Sequence, residues 1–172
     1  GFSITGEKYK IGDLIYVLFS NNKDIKKMIL SKTKAFSNND IRRLVMSAQS
    51  SADKAKESAQ EALNRIQEIG QDGKISPNEK IMIKKDWENI KIEYAQVIEE
   101  MELYGGSENK ILKPLKEQYN NNYIALKSYI EPILEDLTSF SEINSEEFLE
   151  KFNNYYNIRQ EIAQAISNII KT

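Results

Sequence analysis

Apolar residues recur at helical spacing through most of the chain, and this pattern predicts a mainly α fold. The most regular stretch begins after the cap-like polar cluster 37–40 and continues to about Ile69. From Ala48 onward its apolar positions alternate in steps of four and three, as in a coiled coil, but alanine replaces the usual Leu or Ile. The positions are Leu44 or Val45, Ala48, Ala52, Ala55, Ala59, Ala62, Ile66 and Ile69. The pattern predicts one long alanine-rich helix over 37–70.

Two arrangements of this helix stay open on sequence alone. Small residues let helices approach closely, but each buries little apolar area, at about 25 cal/mol per Å². The helix is therefore expected to need a partner. In one arrangement it self-associates as a coiled-coil stalk, and in the other its alanine stripe packs on the chain's own bundle.

A helix break at 70–73 is followed by a strong helix start. Ser76 is suited to the N-cap, Pro77 to the first helical position, and Glu79 to the reciprocal carboxylate of a capping box. The helix that follows is predicted to stop at 105–106, where two glycines occur together. Its apolar face is Ile83, Trp87, Ile90, Tyr94, Val97, Met101 and Tyr104.

Two more amphipathic helices are predicted, so that residues 71–172 form an antiparallel bundle of three helices, or of four where the alanine-rich helix docks on it. The third is expected over about 109–137, with Pro132 in its interior producing a kink. The fourth is predicted to be capped by Ser145 and its neighbours Glu146 and Glu147, and to continue to Ile169.

The first 36 residues predict a separate short β/α segment, which is interpreted as part of a preceding domain. Residues 8–20 are rich in β-branched and aromatic residues and predict a strand, with a helix starting at Asp13 as the competing interpretation. Residues 22–32 predict a short amphipathic helix. The expected organisation is therefore 1–36, the long helix or stalk over 37–70, and the bundle over 71–172.

The amino-acid composition excludes several classes of catalytic and metal site. The chain has no His and no Cys, which excludes thiol nucleophiles, imidazole bases and the usual zinc sites. The 24 basic and 26 acidic side chains nearly balance, so no nucleic-acid partner is expected. No apolar run is long enough to span a membrane. We predict a non-enzymatic protein with no catalytic, cofactor-binding or metal-binding residues and no cofactor.

One segment partly matches a calcium-binding EF-hand loop. The matching positions of its second half are Asp72, Gly73, Ile75 and Glu79. The first half does not match, because Gly70 occupies a position that needs a side-chain oxygen. A helix stop and a capping box explain the same residues, so we interpret the segment as a turn.

Carboxylates and aromatic residues supply the other candidates. The clusters Glu99, Glu100, Glu102 and Glu146, Glu147, Glu150 are interpreted as solvated helix faces or first-turn charges. Most aromatic residues lie on the predicted buried stripes, which favours core packing over sugar binding, namely Trp87, Tyr94, Tyr119, Tyr123 and Tyr155. Tyr129 and Tyr156 lie off these stripes and are the better candidates for a contact surface.

Three segments together resemble a family of bacteriophage tail and host-specificity proteins. They are DGKISPNEKIMIKKDWENI (72–90), YIALKSYIEPILEDLTSFSEI (123–143) and FLEKFNNYYNIRQEIAQAI (148–166). They resemble the family's D-G-K-[IL]-[ST]-P-x-E-K motif and the segments that follow it, in the same order. The shared positions look architectural: Trp87, Pro132, Phe148, Tyr155, Tyr156 and Arg159.

The resemblance implies a helical spacer or scaffold in a tail tip, baseplate or fibre, located in the virion or encoded by a prophage. Its expected partners are other copies of the chain, with a trimer as the leading expectation, other tail proteins, and a host surface receptor. The alternative function is a calcium- or carbohydrate-binding helical module of a surface-attachment protein.

Overall fold

The computed structural model describes residues 38–171 and confirms a mainly helical fold. Four helices are present in this part of the chain: α1 (Asn38–Gly70), α2 (Pro77–Leu103), α3 (Leu112–Leu134) and α4 (Ser145–Lys171). None of these helices is long and apolar enough to cross a membrane. The strand predicted over 8–20, the helix over 22–32 and the segment 1–36 lie outside the described residues.

The alanine stripe of α1 packs on the chain's own bundle. Its buried members are Ala52, Ala59, Ala62, Ile66 and Ile69. They lie against α4, and α1 and α4 form the most extensive helix–helix interface of the molecule. Of the two arrangements left open by the sequence, the structure shows the second, while self-association stays a prediction.

The predicted start of α2 is confirmed in atomic detail. The Ser76 side chain accepts a hydrogen bond from the Glu79 amide, at 3.2 Å, and Glu79 Oε1 accepts one from the Ser76 amide, at 2.9 Å. Pro77 occupies the first turn, where its missing N–H costs no helical hydrogen bond. Both orphan amides are satisfied, so this boundary is fixed by local sequence.

The third helix is shorter than predicted. It begins at Leu112 and ends at Leu134. Pro132 lies inside the helix, as predicted, but in its last turn and exposed to solvent. The Asp136 carboxylate instead organises the residues that follow, because it accepts hydrogen bonds from Thr138 and Ser139.

The N-cap of α4 is one residue earlier than predicted. The Asn144 side chain accepts from the Glu147 amide at 2.9 Å, so Asn144 supplies the cap in place of Ser145. The Ser145 hydroxyl is thereby free to donate to the Gly70 carbonyl, at 2.6 Å. This bond ties the start of α4 to the end of α1.

The same end of the bundle carries a two-stranded antiparallel sheet that the sequence pattern did not predict. β1 (Lys74–Ile75) pairs with β2 (Ser141–Glu142), and Ile75 is fully buried beneath them. Gly70 must be a glycine here, because an added Cβ would lie 2.6 Å from a ring carbon of Phe148. We call this end, with both strands, Gly70 and Ser145, the hub.

The helices are antiparallel, and α4 lies between α1 and α3. Near the other end of the bundle, Gln49 of α1 accepts hydrogen bonds from Ser167 and Lys171 of α4. The start of α1 and the end of α4 therefore lie at the same end, opposite the hub. A polypeptide that enters through α1 and leaves through α4 does so on one side of the bundle.

The core between α2, α3 and α4 contains a connected cluster of aromatic rings. Tyr94 stacks on Tyr123 with ring centroids 3.8 Å apart, and Trp87 stacks on the same ring. Tyr119 and Tyr155 are fully buried, and their rings stack at 5.4 Å. The prediction that these five aromatic residues serve packing is confirmed for their rings, which cover one another.

Candidate functional site

A groove of about 590 Å³ runs between α1, α2 and α4, within the size range of ligand pockets. We call it the α1–α2–α4 groove. Its lining combines apolar, charged and small polar side chains, including Ser47, Ala48, Ser51, Ile92, Glu93, Val97, Glu99, Glu100, Tyr104, Arg159, Ile166 and Ile170.

The groove exists because α1 packs along α4 and not along α2. The interface between these two helices is much smaller than that between α1 and α4. Their polar connection lies towards the hub, where Arg65 donates to Asp86 at 2.9 Å. The first half of α1 therefore stands apart from α2, and the space between them is floored by α4.

Acidic residues spaced by seven mark the side of α2 that faces this space. They are Asp86, Glu93 and Glu100, and a seven-residue step returns to nearly the same helix face. Asp86 pairs with Arg65, and Glu93 lies 3.6 Å from Arg159 of α4. Three carboxylates thus meet two guanidinium groups, and Glu100 has no arginine to itself.

Glu93 also ends a hydrogen-bonded chain that crosses the aromatic core. The Tyr155 hydroxyl donates to Glu93 Oε1 at 2.8 Å and lies 2.9 Å from the Tyr119 hydroxyl. Tyr119 is therefore the donor to Tyr155. Because both hydroxyls are buried, this chain satisfies groups that would otherwise destabilise the core.

Arg159 is only partly satisfied in this network. Its side chain is 15% exposed, and the 3.6 Å separation from Glu93 is an ion pair without a hydrogen bond. The Nε atom is buried and donates to no acceptor within residues 38–171. One N–H of the guanidinium is therefore left without an acceptor among the described residues.

Burial also perturbs the carboxyl and phenol groups at the far end of the groove. It raises the pKa of Glu100 above its ordinary value, although the Arg159 charge partly opposes the rise. It raises the pKa of Tyr104 to about 12, and the negative charge of Glu100 adds to that rise. Both effects indicate low hydration and an excess of negative charge.

The charges of the groove are suited to binding. Glu93 already accepts from Tyr155 and faces Arg159, so it is not a free base. Its three glutamates outnumber the single arginine among the lining residues. A cationic group with an apolar body matches this surface.

The segment that partly matches a calcium-binding loop forms a turn in the structure. Asp72 Oδ1 accepts from the Lys74 amide at 3.0 Å, and Gly73 adopts a positive φ of 74°. Glu79 is held by the capping box. No group of three or more Asp, Glu, His or Cys residues that could hold a metal ion occurs within 38–171.

The other candidates are divided between core and surface. Tyr156 was predicted to be on a contact surface, but it is buried at 8% exposure, so that prediction is wrong. It fails because α4 has two buried faces, one towards α1 and one towards α3, and a single stripe describes only one. Tyr129 is half-buried and packs near Phe148. The cluster Glu146, Glu147 and Glu150 is exposed, whereas Glu100 and Glu102 of the other cluster are half-buried and Glu102 forms an ion pair with Lys116.

Sequence reasoning missed the groove residues Glu93 and Arg159. Arg159 was noted only as an architectural position of the resemblance, and Glu93 was not singled out. The signal was present, because acidic residues seven apart on an otherwise amphipathic helix indicate a polar flank that meets another helix.

Comparison with known proteins identifies one relative. The chain is 36% identical over 118 residues to the "Tail fiber protein" of Enterococcus phage phiEF24C. The match covers 69% of this chain but only 6% of the relative's length. No protein-family model matches the chain. No solved structure matches it either.

Proposed function

We propose that the chain is a structural module of a phage tail, and more specifically a helical spacer or scaffold in a fibre that serves host recognition and assembly. The observation that carries this proposal is the 36% identity to a tail fiber protein over 118 residues. The proposed location is the virion tail, and the proposed role is non-enzymatic. The aligned part is a small portion of that relative, so the role concerns a module and not a whole fibre.

The architecture supports a scaffold role. Large side chains in the bundle interlock, with Tyr119, Phe148, Phe152 and Tyr155 fully buried. The start of α1 and the end of α4 lie together, opposite the hub. Such a bundle projects to one side of the polypeptide that contains it and holds neighbouring parts at a fixed distance.

Immunogold electron microscopy tests the proposed location. Antibodies against the purified chain would be applied to particles of the phage or prophage that encodes it. We expect gold along the tail, and the same serum absorbed with purified protein is the control. Label confined to the capsid, or absence of the chain from particles that contain other tail proteins, would contradict the proposal.

The proposed partners are other copies of the chain and other tail proteins. Light scattering after size-exclusion chromatography tests self-association. We expect the mass to exceed 19.9 kDa, the mass of one chain, at high protein concentration. A constant monomer mass would remove self-association from the proposal without affecting the tail location.

A further inference from the structure

We propose that the α1–α2–α4 groove is the docking site of this chain's own lysine-rich segment, residues 23–36. This goes beyond the proposed tail function, because it assigns an intramolecular partner to a surface of the bundle. It rests on charge, apolar character and the position of the segment in the chain.

The segment and the groove carry opposite charges. The segment KDIKKMILSKTKAF carries five lysines and one aspartate. Residues 1–37 together hold seven basic and three acidic side chains, whereas residues 38–172 hold 17 basic and 23 acidic. The groove is lined by Glu93, Glu99 and Glu100 against a single Arg159. Opposite net charges on two parts of one chain favour their association.

The need for a positive charge is clearest at Glu100. Glu100 is half-buried, the arginine beside it already faces Glu93, and its pKa is raised. A lysine ammonium beside Glu100 would stabilise the ionised carboxylate, which burial now disfavours. Lys26 and Lys27 are adjacent in the segment and supply two such groups.

The groove and the segment also share apolar side chains. Ile92 on the groove wall is 58% exposed, and Ile170 is partly exposed beside it. The segment has apolar residues between its lysines, namely Ile25, Met28, Ile29, Leu30 and Phe36. An amphipathic segment can cover the exposed isoleucines while its lysines meet the glutamates.

The segment is also joined to the groove by only a short length of chain. The segment directly precedes α1, and the groove residue Ser47 lies only nine residues after Asn38, about 14 Å along the helix. Fourteen residues span about 21 Å as a helix and about 46 Å when extended. The segment can therefore turn back and reach the groove. A short tether gives an effective concentration in the millimolar range, which favours this occupant over a second copy.

Disulfide trapping tests the docking, because the natural chain contains no cysteine. The full-length double variant Met28→Cys/Ile92→Cys places one thiol in the segment and one on the groove wall. The matched control, Met28→Cys/Ile124→Cys, uses an isoleucine of similar exposure on α3, outside the groove lining. We expect an intramolecular cross-link to form at least about fivefold faster in the first variant. Equal rates, or mainly disulfide-linked dimers whose yield rises with concentration, would overturn the proposal.

A charge variant tests the cause of docking. Glu99→Gln/Glu100→Gln in the Met28→Cys/Ile92→Cys background should slow cross-linking by about fivefold, the size expected for losing exposed ion pairs. The control Glu57→Gln/Glu61→Gln removes two exposed charges of α1 outside the groove lining and should leave the rate unchanged. Circular dichroism verifies that every variant is folded. An unchanged rate in the groove variant would overturn recognition by charge.

Discussion

Helix α4 is held on two faces by two different kinds of interface. Towards α2 and α3 it meets aromatic side chains such as Tyr119, each of which buries about 150–250 Å². Towards α1 it meets mainly alanines such as Ala59 and Ala62, which allow close approach but bury far less. We call these the aromatic core and the alanine interface. The difference teaches that an extensive contact need not be a strong one.

The contrast also divides α1 itself. Its last turns bury Ile66 and Ile69 near the hub, where Ser145 donates to the Gly70 carbonyl. Its first half offers Ala48 and Ala52 and borders the open groove. We expect local opening of α1 to begin at its N-terminal half, because fewer apolar contacts hold it there.

The largest expected effect comes from truncation in the aromatic core. Phe152 is fully buried, so Phe152→Ala should lower the free energy of unfolding by about 3–5 kcal/mol. Guanidinium denaturation monitored by circular dichroism measures this loss. Phe140→Ala is the control, because Phe140 is 67% exposed and its truncation should change stability by less than about 0.5 kcal/mol. Equal losses would mean that the aromatic core does not dominate stability.

Alkaline pH should weaken the same core. Burial raises the pKa of Tyr119 and of Tyr155 above the ordinary value of 10.0, and neighbouring Glu93 adds to the rise. Above pH 10 the unfolded chain releases these protons while the folded chain keeps them, so stability falls as pH rises. Two tyrosines should cost about 3 kcal/mol by pH 11.

Denaturant titrations at pH 9 and pH 11, together with tyrosinate absorbance, check this loss. The double variant Tyr119→Phe/Tyr155→Phe is the comparison, since its stability should change less over the same interval. A wild-type curve that is flat to pH 11 would count against buried, protonated tyrosines.

Overpacking tests whether the alanine interface is as close as it looks. Ala59 is 3% exposed, so Ala59→Leu should lower the free energy of unfolding by about 1–3 kcal/mol as α1 is forced from α4. Ala95→Leu, at an exposed position of α2, should have little effect. Thermal unfolding measures both variants. A stabilised Ala59→Leu variant would show that the interface has room to spare.

Removing one hydroxyl tests the polar chain within the aromatic core. Tyr155→Phe leaves the ring in place but deprives Glu93 of a donor and Tyr119 of an acceptor. We expect a loss of about 1–2 kcal/mol in denaturant titration. Tyr129→Phe is the control, since the Tyr129 hydroxyl has no hydrogen-bond partner among the described residues. A loss no larger than that of the control would show that the chain contributes little.

The smallest effect concerns the groove that separates the two interfaces. Burial raises the pKa of Glu100, so its ionised form destabilises the fold, and the favourable contribution of the protonated form is lost as pH rises through the raised pKa. Glu100→Gln should therefore raise the melting temperature at pH 7 by about 2 °C or less and have no effect near pH 4. A lower melting temperature at pH 7 would mean that attraction to Arg159 outweighs burial.

Local signals explain which parts of the fold were predictable. The start of α2 followed from Ser76, Pro77 and Glu79, because all three act within four residues of one another. The alanine stripe predicted α1 and its buried face, but it could not tell whether the partner helix lies in the same chain. That choice depends on α4, more than 70 residues away in the sequence.

Features that depend on distant contacts were missed. The pairing of Ile75 with Ser141 needs two strands of two residues each, too short to produce an alternating pattern. Tyr156 appeared to be on the surface because its burial depends on the second neighbour of α4. The groove arises from the divergence of α1 and α2, and the acidic residues spaced by seven mark a polar side of α2 without showing that α1 diverges from it.

The position of both bundle ends on one side has a mechanical consequence. Tension applied to the polypeptide at Asn38 and Lys171 pulls on two helices that leave the bundle at the same end and does not shear the bundle along its length. Helices α1 and α4 would then peel apart one turn at a time, starting at Gln49 and ending at the bond between Ser145 and Gly70. Contacts that break one after another yield at low force over a long extension and dissipate the applied energy. The contacts of the hub would be the last to break.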